Sequence, residues 1–153
     1  LQTMVRIKKS NLIQKANNFN FKKQLIKYVK TNKCCNEIVC DHPKHQSDPF
    51  VHNKFKVFKK SVKEELRLEI DKMWVYYVKK GETIEPSWHT HGHGISCLLY
   101  ITDNDLGTKF KNFDVQLIKN NWIIWDKDIE HTPEPGYNKK DRIVVAGRLY
   151  EKI

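Results

Sequence analysis

Trp88-His89-Thr90-His91-Gly92-His93-Gly94 runs straight into Ile95-Ser96-Cys97-Leu98-Leu99-Tyr100-Ile101. Three histidines in five residues thus lead into an apolar stretch with the composition of a strand. On a strand, residues i and i+2 share a face, so His89 and His91, or His91 and His93, can aim two imidazoles at one point. Metal ligation asks for this arrangement, neutral imidazoles converging from rigid backbone, with a further ligand supplied from elsewhere. The candidate for that ligand is His131, just past Trp122-Ile123-Ile124-Trp125 and just before Pro133-Glu134-Pro135-Gly136.

Working outward from this run, the surrounding blocks are short, apolar and bounded by turn residues. Met73-Trp74-Val75-Tyr76-Tyr77-Val78 is aromatic and β-branched and is closed by Lys79-Lys80-Gly81, a strand followed by a turn. After the 95–101 run come Thr108 to Phe113, Val115 to Ile118, Trp122 to Trp125 and Ile143 to Tyr150. The segments between them, 103–107 and Asn120-Asn121 among them, carry turn chemistry. Strands of this length at these intervals predict a β-sandwich or barrel.

The N-terminal part reads differently. Leu25, Tyr28 and Val29 fall on one face of a helix predicted over about 20–31, with Asn20 as its N-cap and charged residues elsewhere. Ser61-Val62-Lys63-Glu64 has the form of a capping box, and Val62, Leu66 and Ile70 at i, i+4 and i+8 predict a second helix over about 62–71. Between them, Cys34-Cys35-Asn36-Glu37-Ile38-Val39-Cys40-Asp41-His42-Pro43-Lys44-His45 tempts a zinc reading through Cys35, Cys40, His42 and His45. Four ligands within eleven residues would need a strained knuckle, so the stretch reads as a polar loop, as does 46–53. The expected organisation is one domain over residues 1–153, with a helical layer at about 11–71 and a β core at about 72–150. Leu1-Gln2-Thr3, ahead of Met4, are left out of this reasoning.

Composition bounds the partners. The 28 Lys+Arg against 18 Asp+Glu give a formal net charge of +10 over 153 residues. Such a balance favours acidic partners, nucleic acid among them, yet the lysines are spread along the chain and no motif singles out nucleic acid. A lysine-, asparagine- and isoleucine-rich composition with lysine as a general solubilising residue accounts for that spread. No stretch has the ~20 apolar residues that cross a bilayer, and no signal peptide is visible. The adjacent Cys34 and Cys35 with the scattered Cys40 and Cys97 make a poor disulfide framework. Reduced thiols and a cytoplasmic location are therefore expected, with no membrane partner.

His-x-His before a strand, a distal histidine after a Trp-rich strand and Arg142 eleven residues further on together resemble the double-stranded β-helix of the iron(II)- and 2-oxoglutarate-dependent oxygenases. Within that superfamily, residues 72–150 resemble small oxygenase-like proteins of phages and marine bacteria. The resemblance implies a jelly-roll, cupin-like core preceded by helices, with Fe(II) as cofactor and 2-oxoglutarate as cosubstrate. It implies His89 as first iron ligand, His131 as distal ligand, and Arg142 as the grip on the far carboxylate of 2-oxoglutarate. A guanidinium suits that task because it meets a carboxylate with two parallel hydrogen bonds. Tyr76 or Tyr77 is the candidate to help hold the same cosubstrate. The family pattern is His-x-Asp or His-x-Glu, and here the second position is His91. The ligand set is therefore expected to be His89, His91 and His131, unless Asp103, Asp105, Asp128 or Glu130 supplies a carboxylate. His93 is expected beside the site rather than in it. The implied activity is hydroxylation, and the basic charge points to an acidic or macromolecular substrate. Two alternatives share the fold: a cupin-like three-histidine metal protein that does not use 2-oxoglutarate, and a non-catalytic binding module.

Overall fold

The computed structural model describes residues 5–12, 18–32, 46–47, 56–102, 106–111 and 121–151. The elements in chain order are β1 (Val5–Lys9), α1 (Asn18–Thr31), α2 (Lys56–Ser61) continued by a wider helical turn over Val62–Leu66, and β2 (Leu68–Val78). They continue with β3 (Thr83–Ile84), β4 (Ile95–Tyr100), β5 (Thr108–Phe110), β6 (Asn121–Asp126), β7 (His131–Pro133), β8 (Gly136–Tyr137) and β9 (Arg142–Glu151). Five strands form one antiparallel sheet in the order β1-β6-β4-β9-β2. A second layer is built from the pairs β3-β8 and β5-β7, joined where His89 bridges to His131. Two antiparallel layers whose strands alternate between them make the double-stranded β-helix, or jelly roll, that the resemblance implies.

Alternation along the strands gives the large sheet two different faces. Val75, Leu99, Trp122, Ile124, Val145 and Leu149 point outward and bury themselves against Leu25, Tyr28 and Val29 of α1 and against Phe58 and Val62 of α2. Their neighbours Trp74, Tyr76, Leu98, Trp125, Val144 and Ala146 point inward, toward the second layer. The short blocks read as strands at 73–78, 95–101, 108–113, 122–125 and 143–150 thus correspond to β2, β4, β5, β6 and β9. The block at 115–118 and the polar segment 34–45 lie outside the described residues.

Three local expectations are corrected. The first helix starts at Asn18, which puts Asn20 inside it and not at its cap. The second starts at Lys56 and is over by Leu66, because Arg67 adopts a left-handed conformation and its N–H closes the last turn on the carbonyl of Val62. Ser61 is therefore helical, and its hydroxyl bonds the side chain of Glu65, which also accepts from Ser10 Oγ at 3.0 Å and the Asn11 N–H at 3.2 Å. Ile70 belongs to β2, yet Val62, Leu66 and Ile70 still meet in one core. Their fourfold spacing comes from a helical turn and a strand entering the same apolar layer. Ahead of both helices, β1 adds an edge strand on β6 that the charged stretch Val5-Arg6-Ile7-Lys8-Lys9 did not announce. Among the described residues, no helix is long and apolar enough to cross a membrane.

Candidate metal centre and its cavity

A cavity of about 530 Å³ opens between the inner face of the large sheet and the second layer. His89, His91 and His131 line it, and one ligand atom from each lies within 4.8 Å of the others. The backbone sets this convergence. His89 N–H donates to the His131 carbonyl at 3.0 Å and His131 N–H returns the bond at 3.1 Å, so the two residues are paired side by side in the second layer. Ser87 N–H donates to Thr132 Oγ1 at 2.6 Å and pins the same crossing one step along.

The same device fixes two of the rings. His89 Nδ1 lies 2.6 Å from the Ser87 carbonyl, and His131 Nδ1 lies 3.0 Å from the Ile129 carbonyl. Only a protonated Nδ1 can donate there, which leaves Nε2 as the free lone pair in each ring. His91 Nε2 and His131 Nε2 approach to 3.0 Å. That is hydrogen-bond distance, so with His131 Nδ1 protonated, His91 Nε2–H donates to His131 Nε2, and the two nitrogens already face one point. Trp125 packs edge-on against the His131 ring at 4.7 Å between centroids, and Trp74 lies 6.3 Å from that of His91.

Burial keeps the imidazoles of His91 and His131 neutral. The His91 pKa is lowered to about 4, by desolvation first and then by His89 and Arg148. That of His131 is lowered to about 3, again by desolvation first. The Ile129 carbonyl opposes this, and His89 and His91 add to it. A neutral imidazole is the ligating form, so both rings stand ready for a cation near neutral pH. His89 is exposed, His91 half-buried and His131 buried, so the centre is anchored in the core on one side and open on the other. Three imidazoles suit iron, zinc, copper or nickel. The donor set therefore fits iron(II).

The remaining sequence candidates divide. Arg142, 2% exposed, lines the cavity with its guanidinium 5.2 Å from the Tyr76 ring centroid and 5.5 Å from that of Tyr100. It donates through Nε to the Leu106 carbonyl at 3.4 Å and through Nη2 to that of Gly107 at 3.3 Å, both long bonds. Tyr76 shares the cavity, while Tyr77 turns to the helix-covered core. Burial raises the Tyr76 pKa, Arg142 opposing and Glu82 adding, so its hydroxyl keeps its proton. His93 is exposed and outside the cluster. Of the carboxylates weighed as ligands, Glu130 pairs with Lys111 at 3.2 Å and Asp128 is exposed, while Asp103 and Asp105 lie outside the described residues. Among the described residues, no carboxylate joins the three histidines.

Sequence reading missed Tyr100, whose hydroxyl bonds Thr108 Oγ1 behind Arg142, and Arg148 at the far end of the cavity. A usable signal existed for Arg148: 142, 144, 146 and 148 share one face of a strand.

The fold and site define the class first: an antiparallel double-stranded β-helix with His89 and His131, paired in its second layer, and His91, on the segment leading into β4, gathered at one mouth. No family model matches the chain, and no curated protein matches it. Among solved structures it is similar to the viral collagen prolyl hydroxylase of Paramecium bursaria Chlorella virus-1, in complex with 2-oxoglutarate. That match has 9% identity and a TM-score of 0.58, covering 97% of this chain and 96% of the other. It is also similar to a Pseudomonas putida prolyl-4-hydroxylase, at 9% identity and a TM-score of 0.55, covering 99% and 90%. At this identity the likeness is one of fold, and the chain shares the jelly-roll fold of these two prolyl hydroxylases.

Proposed function

We propose that this protein is a non-haem iron(II)- and 2-oxoglutarate-dependent oxygenase that hydroxylates a small or macromolecular substrate. The observation that carries the reading is the pairing, in one cavity of this fold, of three converging histidines with a buried, aromatic-caged Arg142. His89, His91 and His131 would hold the metal. Iron(II), when bound, would supply the redox chemistry by which O2 serves both oxidations, one oxygen atom entering succinate as 2-oxoglutarate loses carbon dioxide and the other entering a substrate C–H bond. Arg142 exchanges its two long backbone bonds for a bidentate grip on the distal carboxylate, which orients the cosubstrate. Tyr76 and Tyr100 flank the guanidinium and exclude water from that end. Trp125 lines the same cavity, and its buried Nε1–H has no acceptor among the described residues, a donor available to a bound ligand.

A second reading is favoured by one observation, that among the described residues no carboxylate joins the three histidines. A cupin-like metal protein with three histidines needs no 2-oxoglutarate, and a binding module on this fold needs no turnover. One titration separates all three. Anaerobic protein loaded with iron(II) is titrated with 2-oxoglutarate and then exposed to oxygen. The oxygenase reading expects a visible charge-transfer band on titration and succinate on exposure. Loading with neither band nor succinate leaves the cupin-like reading, and failure to load iron leaves the binding module.

A further inference from the structure

The cavity has a second built cation at the end away from Arg142. Arg148 lies on the same inward face of β9, six residues on, which separates the two positions by about 20 Å along the strand.

Three features hold Arg148 in place. The β2–β9 register jumps between Ile70 and Lys72, leaving Asp71 as an extra, unpaired residue of a bulge, a device that re-aims side chains beside sites. Its Oδ2 accepts from Arg148 Nε at 2.6 Å. On the other side Gly94, with φ of +78°, lies so close that a Cβ there would come within 2.7 Å of Arg148 Cγ. The turn after the histidine run therefore needs glycine for its conformation and for the arginine stem packed against it. The side chain is only 20% exposed and lines the cavity beside Trp74 and His91. Its two Nη groups have no protein partner among the described residues, and its cross-strand neighbour Lys72 adds a further positive charge at the same opening. No Asp or Glu lines the cavity among the described residues. A guanidinium tied by Nε alone, in a carboxylate-free wall, presents its Nη edge to a ligand.

We infer that Arg148, oriented by Asp71, receives an anionic group of the primary substrate, a carboxylate or a phosphate, while Trp74 takes an adjoining flat or apolar portion. Calling that anion the substrate rests on the oxygenase reading; the anion site stands on geometry alone. Asp71 acts as a positioning residue, since it reaches the ligand only through Arg148.

The test uses protein saturated with iron(II) and 2-oxoglutarate under anaerobic conditions, so that the Arg142 end is filled. Phenyl phosphate, phenylacetate and benzyl alcohol are titrated in by calorimetry, with metal content and 2-oxoglutarate affinity measured on the same samples. The expected result is binding of at least one anion and not of the alcohol, the tighter anion identifying the source as phosphate or carboxylate. Arg148→Gln should weaken that binding about 10- to 100-fold, the range for hydrogen bonds to a charged group. Arg148→Lys should restore part of it, and Asp71→Asn should cost about threefold through lost orientation. Wild-type affinity in both Arg148→Gln and Asp71→Asn would overturn the inference, as would 2-oxoglutarate binding with neither anion bound. If Arg148→Gln does not fold, the lysine and Asp71→Asn variants decide on the same readout. Anion binding that depends on Arg148 in protein that ignores 2-oxoglutarate sinks the oxygenase reading and leaves the anion site standing.

Discussion

The two faces of the large sheet are made by the same strands and differ by one residue of register. On β2, Val75 is fully buried under the helices while Trp74 and Tyr76 line the cavity. On β4, Leu99 packs outward and Leu98 inward. On β9, Val145 and Leu149 face the helices, and Arg142, Val144, Ala146 and Arg148 face the cavity. The outward face is apolar and buried, whereas the inward one carries two guanidiniums, Lys72 and the two tyrosines Tyr76 and Tyr100. Stability and chemistry are thus stored on opposite sides of one sheet, and adjacent residues should separate them.

The largest effect should come from the inward side. His131→Ala removes the buried ligand and its Nδ1 anchor. Groups that merely hydrogen-bond a ligand are worth about 10- to 100-fold in metal affinity, so loss of a ligand itself should exceed about 100-fold. Iron or cobalt stoichiometry after dialysis reads this, with circular dichroism showing the fold kept. Full loading of the variant contradicts the assignment.

Next in size is a paired substitution on β4. Leu99→Ala empties a fully buried site in the helix-covered core and should cost about 2–5 kcal/mol, read as a lower urea midpoint with metal stoichiometry unchanged in the folded fraction. Leu98→Ala, one residue away on the half-buried cavity wall, should cost about half as much or less. Equal losses would mean that the two faces do not divide as described.

How much of this was legible depends on how local the signal is. The histidine run could be read because its ligands sit two apart on one extended stretch, and His131 because it follows a Trp-rich strand. The core strands could be read because apolar and aromatic residues concentrate in short blocks. The edge strand β1 could not: four of its five residues are exposed, and its partner β6 lies more than a hundred residues away. The strands β3 and β8 are two residues each, too short for any period to register. The helix expected to run to residue 71 failed because Ile70 continues an i+4 spacing by coincidence of packing, and only the left-handed Arg67 reveals the break. Arg148 was passed over because a bulge at Asp71 and a glycine turn at Gly94 define its setting, and neither is visible in composition.

On the inward face again, Arg142→Gln should weaken 2-oxoglutarate about 10- to 100-fold, since it removes charge-assisted hydrogen bonds, while iron(II) loading persists. Titration of the charge-transfer band gives the affinity directly. An unchanged dissociation constant would mean that Arg142 serves only to tie the 106–107 backbone to β9 through its bonds to the Leu106 and Gly107 carbonyls.

The smallest effect per step is a slope against pH in the metal-free protein. The pKa of His131 is lowered to about 3 in the folded state, against an ordinary histidine value near 6.5 once unfolded. Above pH 6.5 neither state binds the proton, and this group leaves stability unchanged. As pH falls below 6.5 the unfolded chain takes up a proton that the folded chain refuses, so stability is lost progressively until about pH 3. For His131 the slope approaches about 1.4 kcal/mol per pH unit, and His91, lowered to about 4, adds a smaller loss because it is partly exposed. Urea midpoints between pH 7 and 5 should fall in the wild-type protein and flatten in His131→Ala. Leu99→Ala, on the side with no titratable cluster, should lower the whole profile and leave its slope alone. Parallel profiles for wild type and His131→Ala would show that the cavity face does not carry the acid sensitivity, and the division between the two faces would have to be redrawn.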